Sequence, residues 1–115
     1  MPSTLSLAPS LHHIMDTLGI TPRELARAVG ASDKTVARWL ADETYPQHHS
    51  REKLAELEAL TERLLDSFDS PESVAQWIHN PTRSLAMLRP IDAIVAGQID
   101  RADGALETIL SGIYI

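Results

Sequence analysis

Residues 21–41 read TPRELARAVGASDKTVARWLA, and this stretch decides how the N-terminal part of the chain folds. Thr21 and Glu24 have the spacing of a capping box, with proline at the first helical position, so a helix begins here. Gly30 ends that helix, because glycine adopts the left-handed backbone of a helix C-cap without steric cost. Ser32 is a helix-capping residue type and starts a second helix. The sequence predicts two short helices joined by a tight turn.

Residues 22–41 also match the helix-turn-helix pattern at the positions where packing restricts the choice of residue. Ala26 lies where the second helix crosses the first, and a larger side chain would force the two apart. Gly30 follows at the turn, and Val36 lies six residues further on, on the inner face of the second helix. The other buried positions of the pattern hold Leu25, Val29, Ala31 and Trp39. This agreement predicts an N-terminal helix-turn-helix of the kind that binds DNA.

In such motifs the second helix enters the major groove, and its first residues reach the edges of the bases. Arg38 is suited to bidentate contact with guanine, and Lys34 to contact with phosphate or guanine. Asp33 repels phosphate and is better explained as a partner of its own helix dipole. The candidates for DNA contact are Ser32, Asp33, Lys34, Thr35 and Arg38. The alternative is an ordinary helix pair with charged outer faces.

Helix signals dominate the rest of the chain as well, and convincing strand alternation is absent, so the predicted fold class is all-α. A first helix is expected to start at the cap Ser10 and to end at Gly19. Its apolar face holds Leu11, Ile14, Met15 and Leu18. After a linker at residues 45–47, Ser50 is expected to cap a longer helix. The apolar stripe of that helix holds Leu54, Leu57, Leu60, Leu64, Leu65 and Phe68.

Three further helices are expected in the C-terminal part. One begins at Ser70-Pro71 and ends at Asn80-Pro81, because the residue before proline avoids helical backbone. A short helix starts at Pro90 and stops near Gly97. The last helix has an apolar stripe of Ile99, Ala102, Leu106, Ile109 and Leu110, with Gly112 as its C-terminal cap. The apolar stripes of this last helix and of the helix after Ser50 exceed what so small a chain can readily cover, so self-association or permanent partner contact is expected.

The composition fits one compact domain or two very small ones: 115 residues, 43% hydrophobic and 23% charged. The absence of cysteine excludes disulfides and thiolate metal sites. With no signal peptide and no apolar stretch of about 20 residues, a cytoplasmic location is expected. The chain lacks the motifs of phosphate-binding loops, serine hydrolases and zinc proteases, and its five histidines lack ligand spacing. Neither an enzyme nor a metal or cofactor site is predicted.

Charge is unevenly distributed along the chain, whose net charge is −6. Residues 20–40 hold four basic and two acidic side chains, whereas residues 51–115 hold six basic and eleven acidic ones. A weakly basic window beside an acidic remainder gives little long-range attraction to phosphate. DNA binding therefore has to depend on a defined module, used in a dimer.

The order of marks in the second half resembles that of the Xre/MbcA/ParS-like antitoxins, whose partners are RES-domain toxins. The marks are Trp77, Asn80-Pro81, Leu85, Pro90, the apolar last helix with Leu106 and Leu110, and Gly112 before a short apolar tail. The resemblance covers nearly the whole chain, from an Xre-type helix-turn-helix to a toxin-binding helical segment. Many members carry glycines after the leucine, where this chain has Ala86 and Met87. The loop before Pro90 is therefore expected to be more helical here.

The resemblance implies an antitoxin that neutralises an NAD-degrading toxin encoded in the same operon, with its C-terminal end near the toxin's active site. The tail fits that role, because it offers two branched apolar side chains, a tyrosine and a carboxylate for basic groups that bind phosphate. The predicted toxin-binding residues are Trp77, His79, Asn80, Pro81, Arg83, Arg89, Gly112, Ile113, Tyr114 and Ile115. Each has a plainer alternative: a core tryptophan, exposed polar side chains, and a tail packed on the protein's own core.

Together these patterns divide the chain into a helix-turn-helix region, residues 1–47, and a helical toxin-binding and dimerisation region, residues 48–115. The predicted partners are a RES-domain toxin and operator DNA, with homo-oligomers and hetero-oligomers expected and no membrane. The alternative function is a stand-alone transcriptional regulator whose acidic C-terminal half only dimerises it. A gene for a RES-domain protein beside this one would favour the antitoxin.

Overall fold

The computed structural model describes residues 7–112, and within that range every regular element is helical. The prediction of an all-α fold is therefore confirmed. The α-helices are α1 (Ala8–Leu18), α2 (Pro22–Val29), α3 (Asp33–Leu40), α4 (His48–Ser67), α5 (Pro71–Ile78), α6 (Pro90–Val95) and α7 (Ile99–Gly112). A short 3₁₀ helix, Arg83–Leu85, lies between α5 and α6.

The boundaries of α2 and α3 follow the sequence signals closely. The Thr21 side chain accepts a hydrogen bond from the Glu24 amide, and the Glu24 carboxylate accepts one from the Thr21 amide, which completes the predicted capping box. Gly30 ends α2 in the left-handed conformation at φ 73°. Ser32 caps α3 by accepting from the Thr35 amide at 3.1 Å. Ala26 is 1% exposed, so the two helices approach closely.

Two predicted helix starts are wrong. α1 begins at Ala8 with Leu7 as its N-cap, so Ser10 lies inside the helix. α4 begins at His48 rather than after Ser50. In α1 a proline occupies one of the first two helical positions, where its missing N–H costs nothing, and this sets the start ahead of the serine.

The apolar stripe of α4 is covered within the chain itself. Leu54, Leu57, Leu60 and Leu64 are buried, and α7 and α1 pack across them. Buried Thr61 donates its hydroxyl to the Leu57 carbonyl at 2.8 Å, so this polar group has a partner. The four leucines of this stripe are therefore covered without a second copy, while Leu65 and Phe68 stay half-buried, and self-association or partner contact remains a prediction.

The segment between α5 and α6 contains the 3₁₀ helix Arg83–Leu85, and a tight turn follows it. Ala86 and Met87 have φ of 55° and 70°, in the left-handed region that non-glycine residues rarely occupy. Such a backbone cannot continue a right-handed helix. The expectation that Ala86-Met87 makes this loop more helical is wrong: the two residues adopt the backbone that glycine would, against steric resistance from their Cβ atoms.

The last helix also differs from prediction at its end. α7 includes Gly112, and the glycines with positive φ are Gly19, Gly30 and Gly97, so Gly112 is not the left-handed cap that was expected. A glycine ends a helix when it turns left-handed, and it otherwise continues the helix at a cost of about 1 kcal/mol relative to alanine. The predicted tail, Ile113, Tyr114 and Ile115, lies outside the described residues.

One core joins the N-terminal and C-terminal helices. α6 packs on α2, and α5 packs on α1. At Gly97 (φ 82°) the chain passes so close to α2 that an added Cβ would lie 3.5 Å from the Ala28 carbonyl oxygen. Lys53 of α4 donates to the Gly97 carbonyl at 3.0 Å. Three helices therefore meet at this glycine.

We expect Gly97→Ala to lower the free energy of unfolding by about 1 kcal/mol or more, because alanine resists a positive φ. The matched control is Gly104→Ala, where the glycine lies inside α7 with no atom within 4 Å of an added Cβ. That variant should be more stable by up to about 1 kcal/mol. Denaturant unfolding of both proteins checks the pair. Equal effects of the two substitutions would contradict this account of Gly97.

Candidate functional site

The outer face of α3 carries the predicted DNA-contacting residues, and the structure divides them by what they already do. Ser32 accepts from the Thr35 amide, and the two hydroxyls lie 2.9 Å apart. These side chains are engaged in capping α3. Lys34 and Arg38 are exposed and four residues apart, so they lie on the same side of the helix.

Asp33 is paired with Arg23 of α2, whose Nε lies 3.1 Å from the Asp33 carboxylate. The two side chains are 79% and 56% exposed, so the pair contributes little to stability. It does offset the negative charge of Asp33 on the face that carries Lys34 and Arg38. The sequence pattern assigned Asp33 to the helix dipole alone and missed Arg23, because Arg23 lies ten positions earlier in a different helix.

Trp77, His79 and Asn80 of the predicted toxin-binding residues make contacts inside the protein. Trp77 is half-buried and packs on Phe68, with ring centroids 5.8 Å apart, and its indole nitrogen is buried without a partner among residues 7–112. His79 is half-buried and donates from Nε2 to the Leu18 carbonyl at the end of α1, at 3.2 Å. Asn80 donates to the Gln76 carbonyl. Contact of these residues with a toxin stays a prediction.

Pro81 and Arg83 are exposed, and the loop that follows them presents two apolar side chains that sequence reasoning missed. Met87 is 61% exposed and Leu88 45% exposed. Among residues 7–112 they are two of three large hydrophobic side chains in that condition, and the third, Tyr45, lies in the linker before α4. The sequence signal was the apolar run of residues 85–88. Which of these side chains turns inward depends on the backbone of the loop, and the sequence does not give that backbone.

Arg89 and Asp92 form a bidentate ion pair at the start of α6, here called the Arg89–Asp92 fork. Arg89 donates from Nε and Nη2 to the two carboxylate oxygens at 3.0 and 2.8 Å, and Asp92 also accepts from the Arg89 amide. Hydrogen bonds from the Arg89 side chain hold the pKa of Asp92 below its usual value. Arg89 is thus engaged by its own chain, whereas Arg83 is not part of this fork.

Two further observations concern metal binding and membrane insertion. Among residues 7–112, no group of three or more His, Asp or Glu side chains is placed to hold a metal ion. No helix in the same range is long and apolar enough to cross a membrane. The exposed features just described are the cations of α3 and the loop that presents Met87 and Leu88.

The chain is similar to known antitoxins of toxin–antitoxin systems. The chain is 31% identical to the probable mycobacterial cidal antitoxin Rv3188 of Mycobacterium tuberculosis, over 100% of both chains. It is 27% identical to the mycobacterial cidal antitoxin MbcA of Mycobacterium bovis, over 95% of this chain and 96% of MbcA. No protein-family profile matches the sequence.

The structure also resembles a chain in the crystal structure of the M. tuberculosis MbcT–MbcA toxin–antitoxin complex, with a TM-score of 0.66. The two chains are 27% identical, and the match covers 95% of this chain and 97% of that one. The likeness extends along the whole fold rather than over one motif. This chain belongs to the mycobacterial cidal antitoxin family.

The Arg89–Asp92 fork predicts a pH dependence. Because the pKa of Asp92 is lowered in the folded state, its contribution to stability is present above the carboxyl's ordinary pKa of 3.8 and is lost as the pH falls through the lowered value. Arg89→Ala should raise the pKa of Asp92 towards its ordinary value. We expect a small stability difference between wild type and variant at neutral pH that shrinks in acid.

NMR titration of the Asp92 carboxyl, with denaturant unfolding at neutral and acid pH, measures both effects. Arg101→Ala is the control, since that exposed arginine bonds to Gln98 and not to a carboxylate. An Asp92 pKa that does not move in Arg89→Ala would contradict the role given to the fork.

Proposed function

We propose that this protein is an antitoxin that binds and neutralises a RES-domain toxin that degrades NAD. The observation that carries the proposal is the 31% identity, over the full length of both chains, to a probable mycobacterial cidal antitoxin. The likeness to a chain of a toxin–antitoxin complex supports a toxin partner. The RES-domain identity of that partner and its action on NAD are implied by the resemblance of the second half of the sequence.

Neutralisation is proposed to work by occlusion, with the C-terminal end of the chain entering the toxin's active site. The position of Gly112 in the last turn of α7 supports this, because residues 113–115 follow that helix directly in the sequence. Those residues supply two isoleucines and a tyrosine, which are side chains suited to burial in a partner's cleft.

The N-terminal region, residues 1–47, is proposed to act as an Xre-type helix-turn-helix that represses the antitoxin's own operon. The left-handed turn at Gly30, the buried Ala26 and the exposed Lys34 and Arg38 on one side of α3 support that proposal. Residues 48–115 would then bind the toxin. A chain of net charge −6 attracts DNA weakly, so we propose that operator binding uses at least two copies.

Arg38→Ala should weaken operator binding by roughly 1 to 3 kcal/mol, because a bidentate contact with a base is lost. A gel-shift titration against the promoter region at fixed salt measures it. Arg101→Ala, which changes an exposed arginine of α7, is the matched control and should bind like wild type. Equal affinity of the Arg38 variant and wild type would remove Arg38 from base contact, and no shift with any protein would leave α2 and α3 as scaffold.

A chain truncated after Gly112 should fold and bind DNA normally but neutralise the toxin poorly. Each large apolar side chain buried in a partner's cleft contributes about 1.5 to 3 kcal/mol before ordering costs, so loss of the tail should weaken binding strongly. An NAD-depletion assay with the toxin measures neutralisation, and thermal unfolding is the control. A sharp fall in melting temperature would identify the tail as core, and full neutralisation by a stable truncation would contradict occlusion.

A further inference from the structure

The loop of residues 82–88, here called the knuckle, is closed by its own backbone. The Thr82 amide donates to the Leu88 carbonyl at 3.1 Å, and the Met87 amide donates to the Thr82 carbonyl at 2.9 Å. Three more backbone hydrogen bonds, from the amides of Leu85, Ala86 and Leu88, lie inside the loop. The knuckle is therefore held in one shape by its main chain.

The knuckle is also anchored from within. Leu85 is 3% exposed, and its 3₁₀ turn packs against α7. With Leu85 turned inward, Met87 and Leu88 are turned outward and lie largely in solvent. Two adjacent exposed apolar side chains on a fixed loop form a small, preorganised contact surface, and such a surface loses little conformational entropy on binding.

Two residues of the knuckle adopt a backbone conformation that their Cβ atoms disfavour, although both side chains are exposed. Ala86 and Met87 both have positive φ, which glycine would adopt freely. A methionine that is 61% exposed gains little from burial in its own fold. Strained residues of this kind persist at binding sites, where the side chain has a use outside the chain's own core.

The segment of sequence that contains the knuckle carries cations and no anions. Residues 73–91 contain Arg83 and Arg89 and no aspartate or glutamate, in a chain with 16 acidic and 10 basic side chains. Arg89 is held by Asp92, so the exposed Arg83 is the cation that the knuckle itself presents. The complementary surface is an apolar hollow with acidic groups on its rim.

We propose that the knuckle is a docking site for the toxin, with Met87 and Leu88 entering an apolar hollow and Arg83 facing an acidic rim. This rests on the proposed antitoxin function and adds to it a second anchor, separate from the tail. Met87 is suited to such a contact, because its flexible, polarisable side chain adapts to the shape of the surface that receives it.

The test compares full-length variants for binding to the protein encoded by the adjacent gene in the operon, by calorimetry. Met87→Gly removes the side chain and relieves the positive φ, so it should bind about tenfold more weakly or worse while its melting temperature stays equal or rises. Ala86→Gly relieves the positive φ of the neighbouring residue and should bind like wild type. Tyr45→Ser, an exposed apolar residue of the linker, should also bind like wild type.

The Arg83→Gln variant tests whether Arg83 faces acidic groups on the toxin. Its affinity should fall less than that of wild type as salt is raised, because one screened ion pair is missing. If wild type binds the toxin and Met87→Gly binds it with the same affinity, the docking site is overturned and the antitoxin function is not. A Met87→Gly variant that changes self-association in light scattering, and not toxin binding, would assign the knuckle to a second copy and overturn the proposal. Failure of wild type to bind the neighbouring product would instead refute the antitoxin function.

Discussion

One hydrophobic core shared by the N-terminal and C-terminal helices is the constraint that joins the two halves of the chain. α6 packs on α2, and α5 packs on α1. A residue with a side chain at position 97 would have to adopt a positive φ with its Cβ in contact with the Ala28 carbonyl oxygen, and Lys53 of α4 donates to the Gly97 carbonyl. A substitution that opens this core in one half therefore lowers the stability of the other.

Once that core is formed, three features are left on the surface for interaction. They are the cations of α3, the knuckle between α5 and α6, and the end of α7. Each is presented by a short, locally stabilised element: a capped helix, a hydrogen-bonded loop and a helix terminus. The chain belongs to a family of antitoxins, and these three features carry the contacts with DNA and toxin that are proposed above.

Much of the fold was predictable because its strongest signals are local. The Thr21 capping box, the glycines at 19 and 30 and the cap at Ser32 act within a few residues of themselves. Serine alone misled at positions 10 and 50, since it also occurs inside helices. The coverage of the α4 stripe by α7, and the inward turn of Leu85, depend on residues distant in sequence. For that reason the outer face of α3 was predicted, and the exposure of Met87 and Leu88 was not.

Growth of a host cell shows most directly whether this chain neutralises a toxin. The adjacent gene is expressed alone and together with this chain, from separately inducible promoters. We expect growth arrest with loss of NAD from the toxin alone, and normal growth and NAD when the chain is co-expressed. Arrest that continues despite soluble, folded antitoxin, or a neighbour that does not impair growth, would contradict the proposed neutralisation.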